Sequence, residues 1–308
     1  MRVLFWGTPD FAVPPLAALL GEGLDVVGVV TQPDKPQGRS RSSVVASPVK
    51  TIALREEIPV LQPVKARDPQ FIEEIGKLAP DISVVVAYGQ ILTKQVIDLP
   101  TQGTLNIHAS LLPALRGAAP IQGAILAGLA ETGISIMQMV PELDAGPVLH
   151  QVRTPIGPDE TYGELALRLS EVGALAIVEA LALMSAGKAP AKEQDAALVT
   201  YAPKVTRDSA RIDWARSATQ VSRGIRAYDP RPAAFTAANG AEVKLFRPSL
   251  ADGLSGNPGQ VLEAGNELVV ACGEGAVRIS EVQPAGRRRM AAGDWTRGRA
   301  VAVGDVLG

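Results

Sequence analysis

The sequence predicts an open, mainly parallel α/β sheet followed by a small C-terminal β-barrel. Three observations predict it. The first half alternates short β-rich runs with longer helix-like stretches, the pattern of helices packed on a parallel sheet. Its most apolar run, Ile82–Ala87, reads as a strand buried on both faces. From Ala233 onward, Gly, Pro and Asn separate short β-like runs, which suits a small barrel.

Taken in order, Val3–Trp6 is a short apolar strand ending at Gly7. Pro14–Leu20 reads as a helix, with prolines near its start where a missing N–H costs little. Val26–Thr31 is a second strand. Ser47-Pro48 and Asp68-Pro69 each pair a capping side chain with a proline at the first helical position, the second helix running to about Leu78. Val60–Leu61 is a short strand, and Ile82–Ala87 is the central one. Thr104–His108, Ile134–Met139 and Val148–Val152 follow as strands, and Pro120–Ala127 and Tyr162–Met184 as helices. Beyond these lie a helix over Ala218–Ala227 and strands at Val243–Phe246, Gln260–Glu263, Leu268–Cys272 and Val277–Val282. Residues 1–188 therefore read as one domain, 189–205 as a linker opened by AGKAPAK, and 206–308 as the second domain.

Composition bounds the function. Aromatics make up 4% of the 308 residues against 46% hydrophobic, so the core is built from Val, Leu, Ile and Ala. A single cysteine, Cys272, excludes an internal disulfide and reads as a core thiol. With only His108 and His150, no metal site is expected, and His150 reads as structural. The apolar stretches Val3–Leu20 and Val172–Met184 are broken by prolines and charges, so neither reads as a signal peptide or a span. A cytoplasmic chain, with no membrane and as a monomer, is the expectation. From Thr206 to the end there are 14 Lys+Arg against 11 Asp+Glu, while the whole chain is at −2. A mildly basic second half on an acidic first half can hold a polyanion on one side.

Asn106 and His108 stand two apart in a predicted strand, so their side chains share a face. Both can donate hydrogen bonds to an oxyanion. Asp144, in a Leu-Asp-Ala-Gly turn, can accept a proton or hold the histidine charged. A lone N-x-H is more often structural than catalytic; its surroundings decide here. Gly7-Thr-Pro-Asp lacks the G-x-G-x-x-G fingerprint of dinucleotide sites, which counts against a dehydrogenase. Tyr88-Gly89 ends the central strand where backbone can approach a flat ligand. Lys35, Arg39 and Arg41 lie in a Pro/Gly-rich loop, Gln32–Ser43, and Arg287, Arg288 and Arg289 form a second basic cluster. Either group suits RNA phosphates or plain solvation.

The run Asn106-Ile-His-Ala-Ser-Leu-Leu-Pro113, continued through Arg116-Gly-Ala-Ala-Pro120 and followed by Asp144-Ala-Gly146, resembles the signature of folate-dependent formyltransferases. Gly7–Ala12, Thr31–Arg39, Ser47–Lys50, Arg116–Gln122, Gly133–Met139 and Ile212-Asp-Trp214 resemble the branch that acts on initiator methionyl-tRNA. The resemblance spans nearly the whole chain and is loosest in the C-terminal part. It implies a Rossmann-like first domain, an OB-like barrel that binds tRNA, and the donor 10-formyltetrahydrofolate with no metal. It also implies catalysis by Asn106, His108 and Asp144. Folate is then bound by Ala87, Tyr88, Gly89, Gln90, Ile91 and Leu92 and by Ser110, Leu111, Leu112 and Pro113. Arg39 stands where the family carries a key arginine, although Ser40-Arg41-Ser42-Ser43 has fewer lysines than the family pattern. Glycinamide-ribonucleotide and amino-sugar formyltransferases share the Asn/His/Asp set. The C-terminal domain favours a large RNA acceptor over those small ones, and the intact set disfavours a non-catalytic RNA-binding protein.

Overall fold

A computed structural model describes residues 1–37, 43–298 and 300–308, without the side chains of 35–37, 43 and 44. The chain packs as two units. One holds Met1–Pro120, Thr132–Thr154 and Ala166–Tyr201; the other holds Ile121–Glu131, Pro155–Leu165 and Ala202–Gly308.

The first unit is built on strands β1 (Arg2–Gly7), β2 (Asp25–Val30), β5 (Val60–Leu61), β6 (Ile82–Val86), β7 (Thr104–His108), β8 (Glu131–Gln138) and β9 (Val148–Pro155). A small hairpin, β3 (Lys35–Gln37) with β4 (Ser43–Val45), stands apart from them. The sheet order is β5-β2-β1-β6-β7-β8-β9. Pairing is parallel from β5 through β7 and antiparallel between β7 and β8, so the sheet is mixed. The order runs outward from β1 in both directions. That makes a topological switch point, and ligands of such sheets sit at the carboxyl ends of its strands.

Local chemistry explains the helices. α1 (Val13–Gly21) carries its prolines in the first turn. Ser47 accepts from the Lys50 N–H to cap α2 (Pro48–Arg55), and Asp68 accepts from Gln70 to cap α3 (Pro69–Lys77). A one-turn α4 (Lys94–Ile97) follows, then α5 (Pro120–Ala127) and the long α6 (Tyr162–Ser185). The single serine of the β6 run has a structural reason: Ser83 Oγ accepts from Trp6 Nε1 at 3.1 Å inside the core. Trp6 in turn meets Phe71 and Tyr88 edge-on, at 5.9 and 5.2 Å between ring centroids.

The second unit carries α7 (Ala218–Tyr228), with a full Ser217/Gln220 capping box. Its strands are β10 (Ala234–Ala238), β11 (Ala241–Ala251), β12 (Val261–Ala264), β13 (Leu268–Ala271), β14 (Ala276–Pro284) and β15 (Met290–Ala291), and α8 (Ala292–Arg297) follows. They form an antiparallel sheet, β10-β11-β14-β13-β12, with β15 on β14. Among the described residues no pairing joins β10 to β12, so this sheet is open where a closed barrel was expected. Irregular chain covers the edges instead. Gln260 bridges to Val306 beside β12, and Arg211 bridges to Phe235 on β10. Trp214, Val221, Ile225, Trp295 and Leu307 fill the core over the sheet, which leaves no need for closure.

Candidate active site

β7 presents Asn106 and His108 on one face at the carboxyl end of the sheet. Asn106 pairs across to Val85 and Met137, and His108 to Ser135. His108 is buried. Its Nε2 lies 3.0 Å from the carbonyl oxygen of Leu115, and its Nδ1 lies 3.7 Å from Asp144 Oδ2. A carbonyl only accepts, so Nε2 carries a proton in this arrangement. Nε2 is thus held by the Leu115 carbonyl, and Nδ1 is the ring nitrogen that faces the carboxylate.

Asp144 is fixed by its own loop. Its backbone is left-handed (φ 48°), and its Oδ2 accepts the Gly117 N–H at 2.7 Å. Two residues on, Gly146 has no alternative, since a Cβ there would sit 1.9 Å from the Gln138 carbonyl oxygen. The Asn106 amide is half-buried and makes no hydrogen bond to any described residue. It is thus a polar group beside a buried histidine with its bonding capacity open.

The segment Ala87–Leu92 divides by alternation. Tyr88 and Leu92 bury their side chains in the Trp6 cluster, while Ala87, Gly89 and Ile91 are exposed. Ala87 and Gly89 both have positive φ (48° and 92°), which turns their backbone outward. The Tyr88 carbonyl is already taken, accepting from Thr8 Oγ1 and Gln32 Nε2, both at 3.1 Å. Gln90 is tied to Ala66, whose N–H it accepts at 2.9 Å. Burial pushes the Tyr88 hydroxyl up to about 12, and that hydroxyl has no hydrogen-bond partner among the described residues. Tyr88 is a core residue that offers a ligand its backbone only.

Ser110–Pro113 is pinned from β8 and β9. Ser110 Oγ donates to the Ala114 carbonyl at 2.6 Å, and Ser135 Oγ donates to the Ser110 carbonyl at 2.6 Å. Gln151 Nε2 donates to the Leu112 carbonyl at 2.9 Å. Leu111 is half-buried, Leu112 packs on Met137 and Val148, and the Leu112–Pro113 peptide is cis.

Sequence reasoning missed a strap. The stretch read as linker is hydrogen-bonded to the loops that hold His108 and Asp144. Gln194 Nε2 donates to the carbonyls of Asp144 (2.8 Å) and Gly146 (2.7 Å), while its Oε1 accepts from Arg116 Nε and Nη2 (3.0 and 2.7 Å). Thr200 Oγ1 accepts the Leu115 N–H at 2.8 Å, and the Arg116 N–H donates to the Thr200 carbonyl at 2.9 Å. One strap thus fixes both the carbonyl that holds Nε2 and the turn that carries Asp144. No local signal marks Gln194 or Thr200, because each acts on loops 48 to 85 residues away.

The basic candidates fare unequally. Arg39 and Arg41 lie outside the described residues, and of Lys35 only the backbone, in β3, is described. Arg287 and Arg288 are exposed. Arg289 is exposed as well, but its guanidinium already carries ion pairs. It pairs with Asp229 at 2.9 Å and with Glu281, and its guanidinium lies 4.0 Å over the Phe246 ring. Although burial works against its charge, these carboxylates raise its pKa above the ordinary arginine value. His150 Nε2 lies 2.8 Å from Glu179 Oε2, and Cys272 is buried.

An amide with open bonding capacity, a clamped imidazole and a fixed carboxylate at the end of an α/β sheet can together polarise a carbonyl and accept a proton. Comparison with known proteins makes this specific. Residues 1–181 match the formyl transferase family model, and residues 204–300 match that of the formyl transferase C-terminal domain. Methionyl-tRNA formyltransferase of Geotalea uraniireducens (strain Rf4) is 46% identical over 100% of this chain and 98% of its own. That of Pseudomonas paraeruginosa (strain DSM 24068 / PA7) is 46% identical over 100% of both. Among solved structures, HypX from Aquifex aeolicus in complex with tetrahydrofolic acid shares the fold (TM-score 0.66, 20% identity, 96% of this chain and 46% of HypX). So does methionyl-tRNA formyltransferase from Clostridium thermocellum (TM-score 0.59, 14% identity, 82% and 95%). The chain belongs to the formyl transferase family and, within it, to the methionyl-tRNA formyltransferases.

Proposed function

We propose that the chain transfers the formyl group of 10-formyltetrahydrofolate to the free amino group of initiator methionyl-tRNA, in the cytoplasm and as a monomer, in support of translation initiation. The α-amine of the esterified methionine attacks the formyl carbon, and a C–N bond forms. The Asn106 amide donates to the oxygen as it becomes an oxyanion. His108, clamped at Nε2 by Leu115, meets the reacting group from its Nδ1 side. Asp144, across from Nδ1, takes up the proton lost by the attacking nitrogen, directly or through water. The intermediate collapses as the bond to the folate N10 breaks, and that nitrogen is reprotonated. The observation that carries this reading is the bracketing of His108 between the Leu115 carbonyl and the Asp144 carboxylate, beside the unbonded Asn106. Preorganised groups of this kind supply catalysis without reorganisation in the transition state.

For folate, the outward backbone of Ala87, Gly89 and Ile91 and the pinned Ser110–Pro113 loop form the binding walls. Tyr88, Gln90 and Leu92 hold the first wall from behind. For tRNA, the domain from 206 to 308, an OB-like sheet, contributes Arg287 and Arg288. Lys35, Arg39 and Arg41 serve the acceptor end.

The test uses purified protein, 10-formyltetrahydrofolate and methionyl-tRNA, with formyl transfer followed into acid-precipitable RNA. Glycinamide ribonucleotide, an amino sugar and uncharged tRNA serve as comparison acceptors. Transfer confined to charged initiator tRNA is the expected result. Transfer to a small amine instead would keep the catalytic set and overturn the acceptor.

A further inference from the structure

A cavity of about 360 Å³ lies wholly within the second unit and is lined by none of the proposed catalytic or folate residues. Helix α7 shows why it exists. One stripe of the helix, Ala218, Val221, Ile225 and Tyr228, is buried against the sheet core. The stripe Thr219, Ser222, Arg223 and Arg226, spaced i, i+3, i+4 and i+7, lines the cavity. Two guanidiniums and two hydroxyls thus converge from one helix face, and Ser249 of β11 adds a third hydroxyl.

Neither arginine is used up by the fold. Arg226 is 9% exposed; its Nη1 donates to the Glu160 carbonyl at 3.1 Å, but its Nε is buried with no hydrogen-bond partner among the described residues. Burial pulls its pKa below the ordinary arginine value, and the nearby Asp159 charge pushes the other way. Arg223 makes no hydrogen bond or ion pair to any described residue. It lies on the backbone of Gly128, where a Cβ would come 2.0 Å from its Cζ. Gly128 also closes α5 with φ +68°: its N–H bonds the Ile125 carbonyl at 3.0 Å, and the Leu129 N–H bonds that of Ala124 at 3.1 Å. A glycine here serves the turn and also keeps the arginine's place open. An arginine near a helix end complements the helix dipole, but that role requires neither a cavity nor a buried Nε left unbonded. Leaving such a group unpaired is costly, and among the described residues Asp159 is the only carboxylate residue lining the cavity.

We propose that this cavity is a phosphate site, taking a phosphoryl group between Arg223 and Arg226 with the hydroxyls of Thr219, Ser222 and Ser249 on its remaining oxygens. The planar guanidinium fork matches phosphate oxygens in geometry and charge. The source is an RNA phosphodiester or a free phosphate. The first source rests on the RNA acceptor proposed above; the phosphate chemistry does not.

The experiment titrates the full chain with orthophosphate by calorimetry, ionic strength being held constant with chloride. Saturable one-site binding is expected, weakened about tenfold or more in Arg223→Gln. Arg223 is half-buried rather than core, and thermal melting checks that the variant folds. Thr219→Val, which keeps the shape and removes one donor, weakens binding less. No saturable binding, or Arg223→Gln binding as tightly as wild type, overturns the proposal. The source is read from formylation assays at increasing orthophosphate. A rise in KM for methionyl-tRNA in wild type but not in Arg223→Gln identifies an RNA phosphodiester. An unchanged KM identifies free phosphate. Because the calorimetry needs no acceptor, failure of the phosphate site and failure of the formylation reading are separate results.

Discussion

The surroundings of buried His108 and of exposed Arg289 are both polar and opposite in design. Around Arg289 every strong group is matched: two carboxylates and an aromatic face take up one guanidinium. Around His108 the matching stops short. One ring nitrogen is clamped, the other faces a carboxylate across 3.7 Å, and the neighbouring Asn106 amide has no described partner. Saturated polar clusters hold a fold together, whereas chemistry needs donors left open and held still.

Removing the clamped ring should have the largest effect. His108→Ala is expected to lower kcat by about 10² to 10⁴, with tRNA binding and the melting temperature retained; near-normal turnover would sink the assignment. The strap comes next. Gln194→Ala frees the Asp144 and Gly146 carbonyls and the Arg116 side chain, and is expected to lower kcat about ten- to a hundredfold. KM for either substrate should change little. Thr200→Ser should behave as wild type and Thr200→Val as an impaired enzyme. A rise in KM at constant kcat in these variants would assign the strap to binding rather than positioning.

The saturated cluster should show the reverse. Arg289→Ala leaves the buried Asp229 carboxylate unpaired and is expected to cost about 1–3 kcal/mol of stability, read from urea unfolding, while kcat at 25 °C is unchanged. Loss of activity without loss of stability would reverse the two roles. The smallest effect is a pH limb. Burial raises Cys272 from 9.0 to about 11 and Tyr88 from 10.0 to about 12. In both the folded state resists ionisation, so their contribution is complete below the unfolded values and is lost as pH rises, from 9 to 11 for the thiol and from 10 to 12 for the phenol. Cys272→Ala should flatten the first limb and Tyr88→Phe the second, as urea midpoints across that range will show. At neutral pH Tyr88→Phe should cost less than about 1 kcal/mol, since the lost hydroxyl has no partner.

The sequence alone determined whatever depends on neighbours a few residues away. Strand–helix alternation set the α/β sheet, Ser47-Pro48 and Asp68-Pro69 set two helix starts, and the N-x-H spacing put Asn106 and His108 on one face. The motif between Asn106 and Pro120 pointed to the family for the same reason, being one continuous loop leaving one strand. Tertiary structure decided the rest. Tyr88 and Leu92 turned inward, because two left-handed residues redirect the chain after β6. The C-terminal sheet stayed open, because two tryptophans, a helix and the chain end fill the space that closure would have filled. Gln194 and Thr200 came to hold the loops around His108 and Asp144, and Arg289, though exposed, was tied to Asp229 and Glu281. Periodicity and capping are local, so they can be read along the chain. Whether a polar group is satisfied or left open depends on partners 50 to 85 residues away, and only the folded chain brings those together.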